Sequence, residues 1–346
     1  MPAGGGRSGG GADMSATALP TELQVEVTGA CNLRCHMCLV RYRPPINKVT
    51  GSMTAAEFER LLDALPDLQR VTLQGLGEPL MAPDLIPMIA MATARGIEVG
   101  FNTNGTILTR KRAAQLVDAG LGWLHVSVDG ATAATYEAIR DQSNFARVAR
   151  NVRGLVEVMR DRGASTPRLQ IVFVAQRANV AELPDLVDLV HQWGVPDLRV
   201  QNLSHDFSDT DPAGSFAEIR AYTAGEALAG DADQADVSAI FAEARRRADA
   251  LGVTLRLPAM EPPPEPRPAG TPGCDWPWRS AYVTHDSKVQ PCCMIMGSDR
   301  AVLGDAAVEP IDTIWRSRPY EEFRQRLLGD DPPAVCRGCS MYRGVF

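Results

Sequence analysis

The sequence predicts an α/β fold in which six strand–helix units form a parallel sheet, curved into a full or partial barrel. Between residue 23 and about residue 203, short apolar stretches of strand length alternate with amphipathic helical stretches. In the segment 181–193, for example, apolar residues recur every three or four positions, as on one buried face of a helix. Strands that alternate with helices favour a parallel sheet with right-handed crossovers.

Polar residues alternate with apolar ones within several of the predicted strands. In the fourth strand, His125 and Ser127 alternate with apolar neighbours, and Asp129 follows directly. A parallel strand that is covered on both faces is almost wholly apolar. One face of the sheet is therefore predicted to line a polar cavity, and solvent exposure at a sheet edge is the alternative. The six predicted strands span 23–28, 71–74, 98–102, 123–128, 168–174 and 197–203.

Composition and charge narrow the class of protein. The chain has 346 residues and a net charge of −7, which argues against a nucleic-acid-binding surface. No apolar run approaches the ~18 residues of a membrane span, and the start lacks the pattern of a signal peptide. We expect a cytoplasmic protein without nucleic-acid or membrane partners.

The proline-rich segment 258–273 predicts a boundary between two domains, because proline at this density is incompatible with helix or sheet. After it we expect a hairpin within 281–291 and a helix over 318–328. The predicted organisation is a disordered tail at 1–20, a barrel at 21–257, a linker at 258–273 and a small domain at 274–346.

Three cysteines, Cys31, Cys35 and Cys38, follow the first predicted strand. Active sites of parallel sheets lie at the carboxyl ends of the strands, which is where this loop falls. Three thiolates can hold three irons of a 4Fe–4S cluster and leave the fourth iron open to a ligand that is not protein. A structural zinc site would need a fourth protein ligand, and His36 is the only nearby candidate.

The remaining five cysteines lie in the last quarter of the chain, and they are Cys274, Cys292, Cys293, Cys336 and Cys339. Cysteines grouped in this way indicate metal binding in a reducing compartment rather than a disulfide framework. On chemistry alone, the second group could form a zinc ribbon or a second iron–sulfur cluster.

The cysteine spacing, its place after the first strand and the following strand–helix units resemble the radical S-adenosylmethionine (SAM) superfamily over residues 23–203. Gly75-Leu76-Gly77-Glu78-Pro79, after the second strand, resembles the family's Gly-Gly-Glu-Pro motif. The resemblance implies a partial (β/α)6 barrel and a 4Fe–4S cluster on Cys31, Cys35 and Cys38 whose open iron binds SAM. It also implies SAM contacts from Gly75, Gly77, Glu78, Pro79, Asn102, Asn104, Ser127, Asp129 and Arg140. For Arg140, a solvated charge on a helix face is the alternative.

The C-terminal segment resembles the twitch domain, a short form of the SPASM extension. This implies a second, auxiliary 4Fe–4S cluster held by Cys274, Cys292, Cys336 and Cys339. Cys293 is then spare. It is either a small buried residue or a thiol that donates a hydrogen atom to the substrate, as an epimerase requires.

The resemblance implies that a 5′-deoxyadenosyl radical, formed from SAM, removes a hydrogen atom from the substrate. We expect a small sugar-like or aminocyclitol substrate in natural-product (antibiotic) biosynthesis, with oxidation (dehydrogenation) or epimerisation as the outcome. A ribosomal peptide is the alternative, and a non-catalytic metal-binding scaffold is a remote one. The expected electron source is an external one-electron reductant such as flavodoxin or ferredoxin. Substrate candidates are Glu26, Gln201, His205 and Asp206.

Overall fold

A computed structural model describes residues 18–42, 50–228, 231–260, 271–295 and 300–346. Most of the predicted tail at 1–20 and most of the predicted linker at 258–273 lie outside these residues. Among the described helices, none combines the length and the apolar character needed to cross a membrane.

One open sheet of ten strands organises the described chain, in the order β10-β9-β8-β1-β2-β3-β4-β5-β6-β7. Strands β1 to β7 pair in parallel, each with the next, so the predicted partial barrel is confirmed. The strands are β1 Glu22–Val25, β2 Arg70–Leu73, β3 Glu98–Thr103, β4 Trp123–Ser127, β5 Arg168–Val174, β6 Asp197–Gln201, β7 Thr254–Arg256, β8 Ser280–Val283, β9 Lys288–Gln290 and β10 Gly304–Asp305.

Helices connect the barrel strands and cover the apolar face of the sheet. They are α1 Ala55–Asp63, α2 Leu85–Ala94, α3 Arg110–Asp118, α4 Ala133–Ile139, α5 Phe145–Arg162, α6 Leu183–Gln192, α7 Ala217–Glu226 and α8 Asp231–Leu251. Those of the C-terminal part are α9 Trp276–Arg279, α10 Ile311–Trp315, α11 Arg318–Leu328, α12 Ala334–Arg337 and α13 Ser340–Arg343. Side-chain caps define several helix starts; Thr54, for example, forms a capping box with Glu57 at the start of α1.

The two faces of the sheet differ as the alternation in the strands predicts. Val71, Leu124 and Val126 point to the helices and are buried in the main core. Gln201 and His125 lie on the opposite face, where they line a polar cavity. Because successive side chains of a strand point to opposite faces, the apolar set builds the core while the polar set lines the cavity.

The C-terminal hairpin extends the barrel sheet rather than forming a separate one. Strand β8 pairs in parallel with β1, with Gln24 opposite Tyr282 and Val25 opposite Val283. Strand β9 returns antiparallel to β8, as expected of a hairpin. The two cysteine-bearing parts of the chain are therefore joined by backbone hydrogen bonds along β1.

A buried arginine holds the C-terminal helices together. Arg324, on α11, is only 1% exposed. Its Nε donates to the Pro277 carbonyl at 2.8 Å and its Nη1 donates to the Trp315 carbonyl at 2.9 Å. Its Cζ also lies 4.3 Å from the ring centroids of both Trp315 and Tyr320. The guanidinium thus satisfies two buried carbonyls and packs between two aromatic rings.

We predict that Arg324→Met lowers the free energy of unfolding by about 2 kcal/mol or more, because two buried carbonyls lose their donor. Arg318→Met, on the same helix, is the matched control, because that side chain is 89% exposed. The control should cost less than about 0.5 kcal/mol. Urea unfolding followed by tryptophan fluorescence measures both variants, and an equal loss in the two would contradict the prediction.

Candidate functional site

The loop that carries Cys31, Cys35 and Cys38 is fixed by backbone contacts with the segment that follows α4. The Arg34 amide donates to the Asp141 carbonyl at 3.0 Å, and the His36 amide donates to the Ile139 carbonyl at 3.1 Å. These bonds hold the loop over the carboxyl ends of the central strands. Backbone groups that are already paired leave the thiols as the chemically available part of the loop.

The three thiols lie close enough to influence one another. Burial raises the pKa of Cys31 to about 11, and the neighbouring Cys38 adds to the increase. Burial raises the pKa of Cys35 to about 12, although the charge of Arg140 opposes the shift. All three are free cysteines. Buried thiols that disfavour one another's ionisation suit a site where a metal group supplies the compensating positive charge.

Arg140 is not a solvated helix-face charge. It is 8% exposed, its Nε lies 2.6 Å from the Asp129 carboxylate, and its Nη1 lies 3.9 Å from Cys35 Sγ. The other Asp129 oxygen accepts a 2.7 Å hydrogen bond from the Val174 amide. The ion pair therefore places a buried positive charge beside the thiol of Cys35. Asp129, the acidic member of this ion pair, is held to strand β5 by its hydrogen bond with the Val174 amide.

Glu78 joins the loop after β2 to the loop after β3. Its carboxylate accepts hydrogen bonds from Thr103 Oγ1 at 2.6 Å, from the Asn104 amide at 2.8 Å and from the Leu80 amide at 3.2 Å. Burial raises the pKa of Glu78, and these hydrogen bonds oppose the shift. Asn104 Nδ2 in turn lies 4.0 Å from Cys31 Sγ. This hydrogen-bond chain links the candidate SAM loops to the cysteine loop.

Close packing requires glycine at two positions of the candidate SAM motif. A Cβ on Gly75 would lie 2.2 Å from Glu26 Cγ. A Cβ on Gly77 would lie 2.1 Å from the carbonyl oxygen of Thr28. Pro79 opens a short 3-10 helix after Glu78 and is buried. Any side chain at either glycine would push this loop away from β1 and the cysteine loop.

A cavity of about 470 Å³ opens on the polar face of the sheet. Of the predicted site residues, Gly75, Asn102, Gln201 and Cys293 line it. Asn102 Oδ1 lies 3.0 Å from His125 Nδ1 within the cavity wall. The partly buried Ser127 lies on β4 but is not part of this wall. The cavity therefore lies between the candidate SAM motif and the C-terminal domain.

Glu26, a predicted substrate candidate, is fully buried and links three parts of the chain. Its Oε2 accepts hydrogen bonds from the Leu76 amide at 2.8 Å and from the Tyr282 hydroxyl at 3.2 Å. Its Oε1 lies 2.6 Å from His285 Nδ1. The carboxylate therefore joins β1 to the Gly75–Pro79 loop and to the C-terminal hairpin, and it does not line the cavity.

His205 and Asp206, also predicted as substrate candidates, contact the C-terminal segment and lie outside the cavity wall. His205 is 2% exposed, and its Nε2 lies 2.6 Å from the Val335 carbonyl. Asp206 Oδ2 accepts a 2.6 Å hydrogen bond from Arg343. The physical reason is that the loop after β6 packs against the terminal Cys-x-x-Cys segment. The alternation of polar and apolar residues along β6 does not predict this contact.

The second group of cysteines converges at the end of the C-terminal hairpin. Burial raises the pKa of Cys274 to about 11 and that of Cys336 to about 12, and Cys339 adds to both increases. The pKa of Cys292 is raised well above its usual value by burial and then by Cys293, Cys339, Cys336 and Cys274. Residues remote in sequence are thus brought within electrostatic reach of one another. Four free thiols at one place are the donor set of a Cys-ligated iron–sulfur cluster.

The thiols of the second group do not form a preformed single-ion site. Within the described ranges, no three His, Cys, Asp or Glu side chains are grouped closely enough to hold one metal ion. Structural zinc is bound by four ligands at about 2.0–2.3 Å. By donor type alone, the four thiols suit either a zinc ion or a Cys-ligated iron–sulfur cluster.

Cys293 is adjacent to Cys292 but belongs to the cavity wall. Burial raises the pKa of its thiol to about 12. It begins a short 3-10 helix that turns the chain after β9. The structure therefore places one thiol of the C-terminal domain at the cavity, beside the four that converge on the candidate auxiliary site.

Sequence reasoning missed three residues at the centre of this site. Tyr282 and His285 reach Glu26 from the C-terminal hairpin. Arg199 lines the cavity from β6. The alternation along 197–203 places Arg199 on the polar face, so a signal for that residue was present. Nothing in the sequence indicates that β8 lies beside β1.

Comparison with known families identifies the class of protein. Residues 25–174 match the radical SAM superfamily, and residues 274–340 match the SPASM iron–sulfur cluster-binding domain. The chain is a radical SAM protein with a C-terminal SPASM-type domain. Its cofactors are accordingly a SAM-binding 4Fe–4S cluster, SAM and an auxiliary iron–sulfur cluster, as predicted.

Several characterised proteins are similar in sequence. The AdoMet-dependent heme synthase of Nitratidesulfovibrio vulgaris is 26% identical over 332 residues, which is 92% of this chain and 84% of that protein. The mycofactocin maturase MftC of Mycobacterium ulcerans is 32% identical over 203 residues, covering 58% of this chain and 50% of MftC. A protein of Pyrococcus furiosus that modifies the cofactor of tungsten-containing aldehyde ferredoxin oxidoreductase is 28% identical over 184 residues, 52% of this chain. The chain spans about half the length of the last two relatives.

Solved structures show the same fold. SuiB of Streptococcus suis, bound to the precursor peptide SuiA, has a TM-score of 0.68 and 16% identity, with 94% of this chain and 71% of SuiB covered. The protein anSMEcpe with bound AdoMet has a TM-score of 0.62 and 16% identity, with 94% and 88% covered. At these identities the likeness establishes the fold alone.

We predict that anaerobic reconstitution loads about eight irons and eight sulfides per chain, because two four-iron clusters are expected. Replacing Cys31, Cys35 and Cys38 together by Ala should reduce the iron content to about four. Cys293→Ala is the matched control for the C-terminal group and should keep about eight, whereas Cys292→Ala should lose iron. Iron and sulfide assays with electron paramagnetic resonance measure this. Iron loss in Cys293→Ala equal to that in Cys292→Ala would contradict the assigned ligand set.

Proposed function

We propose that this radical SAM enzyme modifies a peptide, with one residue of that peptide held in the cavity on the polar face of the sheet. The observation that carries the proposal is the cavity wall, where the candidate SAM motif contributes Gly75 and Leu76 and the C-terminal domain contributes Cys293. The similarity to mycofactocin maturases supports a substrate of the peptide class. The fold shared with SuiB is compatible with a precursor peptide.

The chain's own residues have distinct proposed tasks. Cys31, Cys35 and Cys38 hold the SAM-binding cluster, and Cys274, Cys292, Cys336 and Cys339 hold the auxiliary cluster. When bound, the first cluster and SAM supply a one-electron cleavage that generates a carbon radical able to take a hydrogen atom from the substrate. The Glu78 and Glu26 carboxylates fix the surrounding loops, and the cavity orients the substrate and limits access of water.

The motif residues that line or border this region are proposed to bind SAM. Gly75 and Gly77 allow the loop backbone to lie directly against β1 and the cysteine loop. Asn104 lies between the cysteine loop and Glu78. The Asp129–Arg140 ion pair keeps a positive charge beside Cys35, where it favours the thiolate that a cluster needs.

A small sugar-like or aminocyclitol substrate is the second candidate. A volume of about 470 Å³ lies within the usual range for small-molecule sites. Gln24, Asn102 and Gln201 line the cavity and offer amide donors and acceptors that suit hydroxyl and amino groups. A peptide side chain would use the same groups.

The net reaction is proposed to be an epimerisation or an oxidation. The place of Cys293 in the cavity wall supports a return of a hydrogen atom from its thiol to the substrate carbon. The thiyl radical left behind would be reduced to the thiol by one electron from the external donor and one proton from solvent. Oxidation would instead send an electron to the auxiliary cluster. A small one-electron donor protein such as flavodoxin or ferredoxin is the proposed reductant. A cytoplasmic location accords with eight cysteines that are all free.

We predict that a member of a synthetic peptide library stimulates SAM cleavage by the reduced, reconstituted enzyme, whereas aminocyclitols do not. Chromatography of 5′-deoxyadenosine together with mass spectrometry of the peptide measures turnover. Cys31→Ala is the control and should abolish cleavage with either substrate. Stimulation by aminocyclitols alone would favour the second candidate. A reconstituted enzyme that binds SAM without cleaving it would overturn the enzymatic assignment.

We predict that product formed in deuterated water gains one deuterium at carbon and that Cys293→Ala abolishes this gain, because the exchangeable thiol supplies the hydrogen. Cleavage of SAM should continue in the variant, since the thiol is not needed for the first hydrogen transfer. Mass spectrometry of the product measures the gain. A carbonyl product without deuterium, unchanged in Cys293→Ala, would show that the reaction is an oxidation.

A further inference from the structure

The charged side chains of the proposed substrate cavity are mostly cationic. Arg70, Arg199 and Arg279 line it, while Glu22 is the one acidic residue among the described lining residues. The chain as a whole carries a net charge of −7, so this wall is opposite in sign to the protein. A site of one sign in a protein of the other sign attracts oppositely charged ligands.

Two of the three arginines already have acidic partners. Arg279 Nε lies 3.5 Å from the Glu22 carboxylate. Arg70 Nε lies 3.7 Å from the Glu98 carboxylate, and its guanidinium stacks 4.9 Å from the Trp123 ring centroid. Each of these two arginines therefore has a carboxylate within 4 Å, although Glu98 also pairs with Arg168.

Arg199 differs from the other two. In the described part of the chain, no carboxylate lies within ion-pair distance of its guanidinium. Its Cζ stands 5.4 Å from the ring centroid of Phe346, which is a cation–π contact. The residue is partly buried on β6, with Gln201 two positions further along the same face.

The surroundings of Arg199 add to the positive potential. Burial lowers the pKa of Arg199, and the neighbouring Arg256 lowers it further. Burial lowers the pKa of His125 to about 4, and the positive charges of Arg199 and then Arg70 contribute to this decrease. His125 is thus neutral near pH 7 and adds no charge of either sign. A partly desolvated cation without a partner is unfavourable, and a bound anion would relieve that cost.

We propose that the cavity recognises its substrate through an oxyanion, a carboxylate or a phosphate, bound by the guanidinium of Arg199. The proposal rests on the proposed function, since it assigns the substrate class of the same cavity. The planar guanidinium can bind either oxyanion through two parallel hydrogen bonds. Gln201 offers an amide donor on the same strand face, and the Phe346 ring keeps the guanidinium directed toward the cavity.

Isothermal titration of the reconstituted, SAM-bound enzyme tests this with three probes at constant ionic strength. The probes are benzoate, its neutral analogue benzamide, and inorganic phosphate. We expect the wild-type enzyme to bind benzoate or phosphate but not benzamide. Arg199→Gln should weaken that binding at least about tenfold, since hydrogen bonds to charged groups are worth more than 1 kcal/mol. Arg199→Lys should restore part of the affinity through its charge.

Arg256→Gln is the matched control, because Arg256 lies opposite Arg199 on β7 and is exposed, outside the cavity wall. The control should change binding less than threefold (about 0.7 kcal/mol).

Binding of benzoate alone or of phosphate alone supports the proposal and identifies the oxyanion. Equal affinity in Arg199→Gln and wild type, or binding of neither anion, overturns it. SAM cleavage measured in the same preparations is independent of these titrations. Absence of anion binding to the wild-type enzyme with SAM cleavage intact rejects this proposal alone, and absence of SAM cleavage in the wild-type enzyme rejects the proposed function.

Discussion

The buried carboxylate of Glu26 is the interaction on which the arrangement of the two cysteine groups depends. It accepts hydrogen bonds from the Leu76 amide and the Tyr282 hydroxyl and faces the His285 ring. A fully buried carboxylate is tolerated only where such partners surround it. The candidate SAM loop and the C-terminal hairpin are therefore fixed to the same strand by one side chain. Movement of either would remove hydrogen bonds from this buried carboxylate.

This connection explains why the hairpin extends the barrel sheet. Parallel pairing of β8 with β1 supplies backbone hydrogen bonds. At the end of β1, the Glu26 side chain adds hydrogen-bond contacts with Tyr282 and His285 of the hairpin. The same pairing brings Cys292 and Cys293 to the cavity end of the sheet. One cavity wall can then contain groups from both ends of the chain, with Gly75 on one side and Cys293 on the other.

The charge of the site depends on which arginines have acidic partners, as well as on how many charged residues the chain contains. Arg140 pairs with Asp129 and directs its Nη1 toward Cys35, and Arg70 and Arg279 have acidic partners at the cavity. Arg199 alone among the cavity arginines faces an aromatic ring in place of an acid. An overall acidic protein can in this way present a positive site, because pairing within the chain removes some charges and leaves others.

The sequence by itself determined the elements and the ligand types. Hydrophobic periodicity placed strands such as Arg168–Val174 and helices such as Arg318–Leu328, because burial of one face is a local property of the pattern. Cysteine grouping identified the candidate metal ligands, and the resemblance to radical SAM and SPASM proteins implied the cluster chemistry. Only the tertiary structure decided that Glu26 is a buried link, that His205 contacts the terminal segment and that Arg199 has no acidic partner among the residues the structure describes. Those outcomes depend on contacts between strands far apart in sequence, and no local pattern encodes which distant side chain will lie opposite.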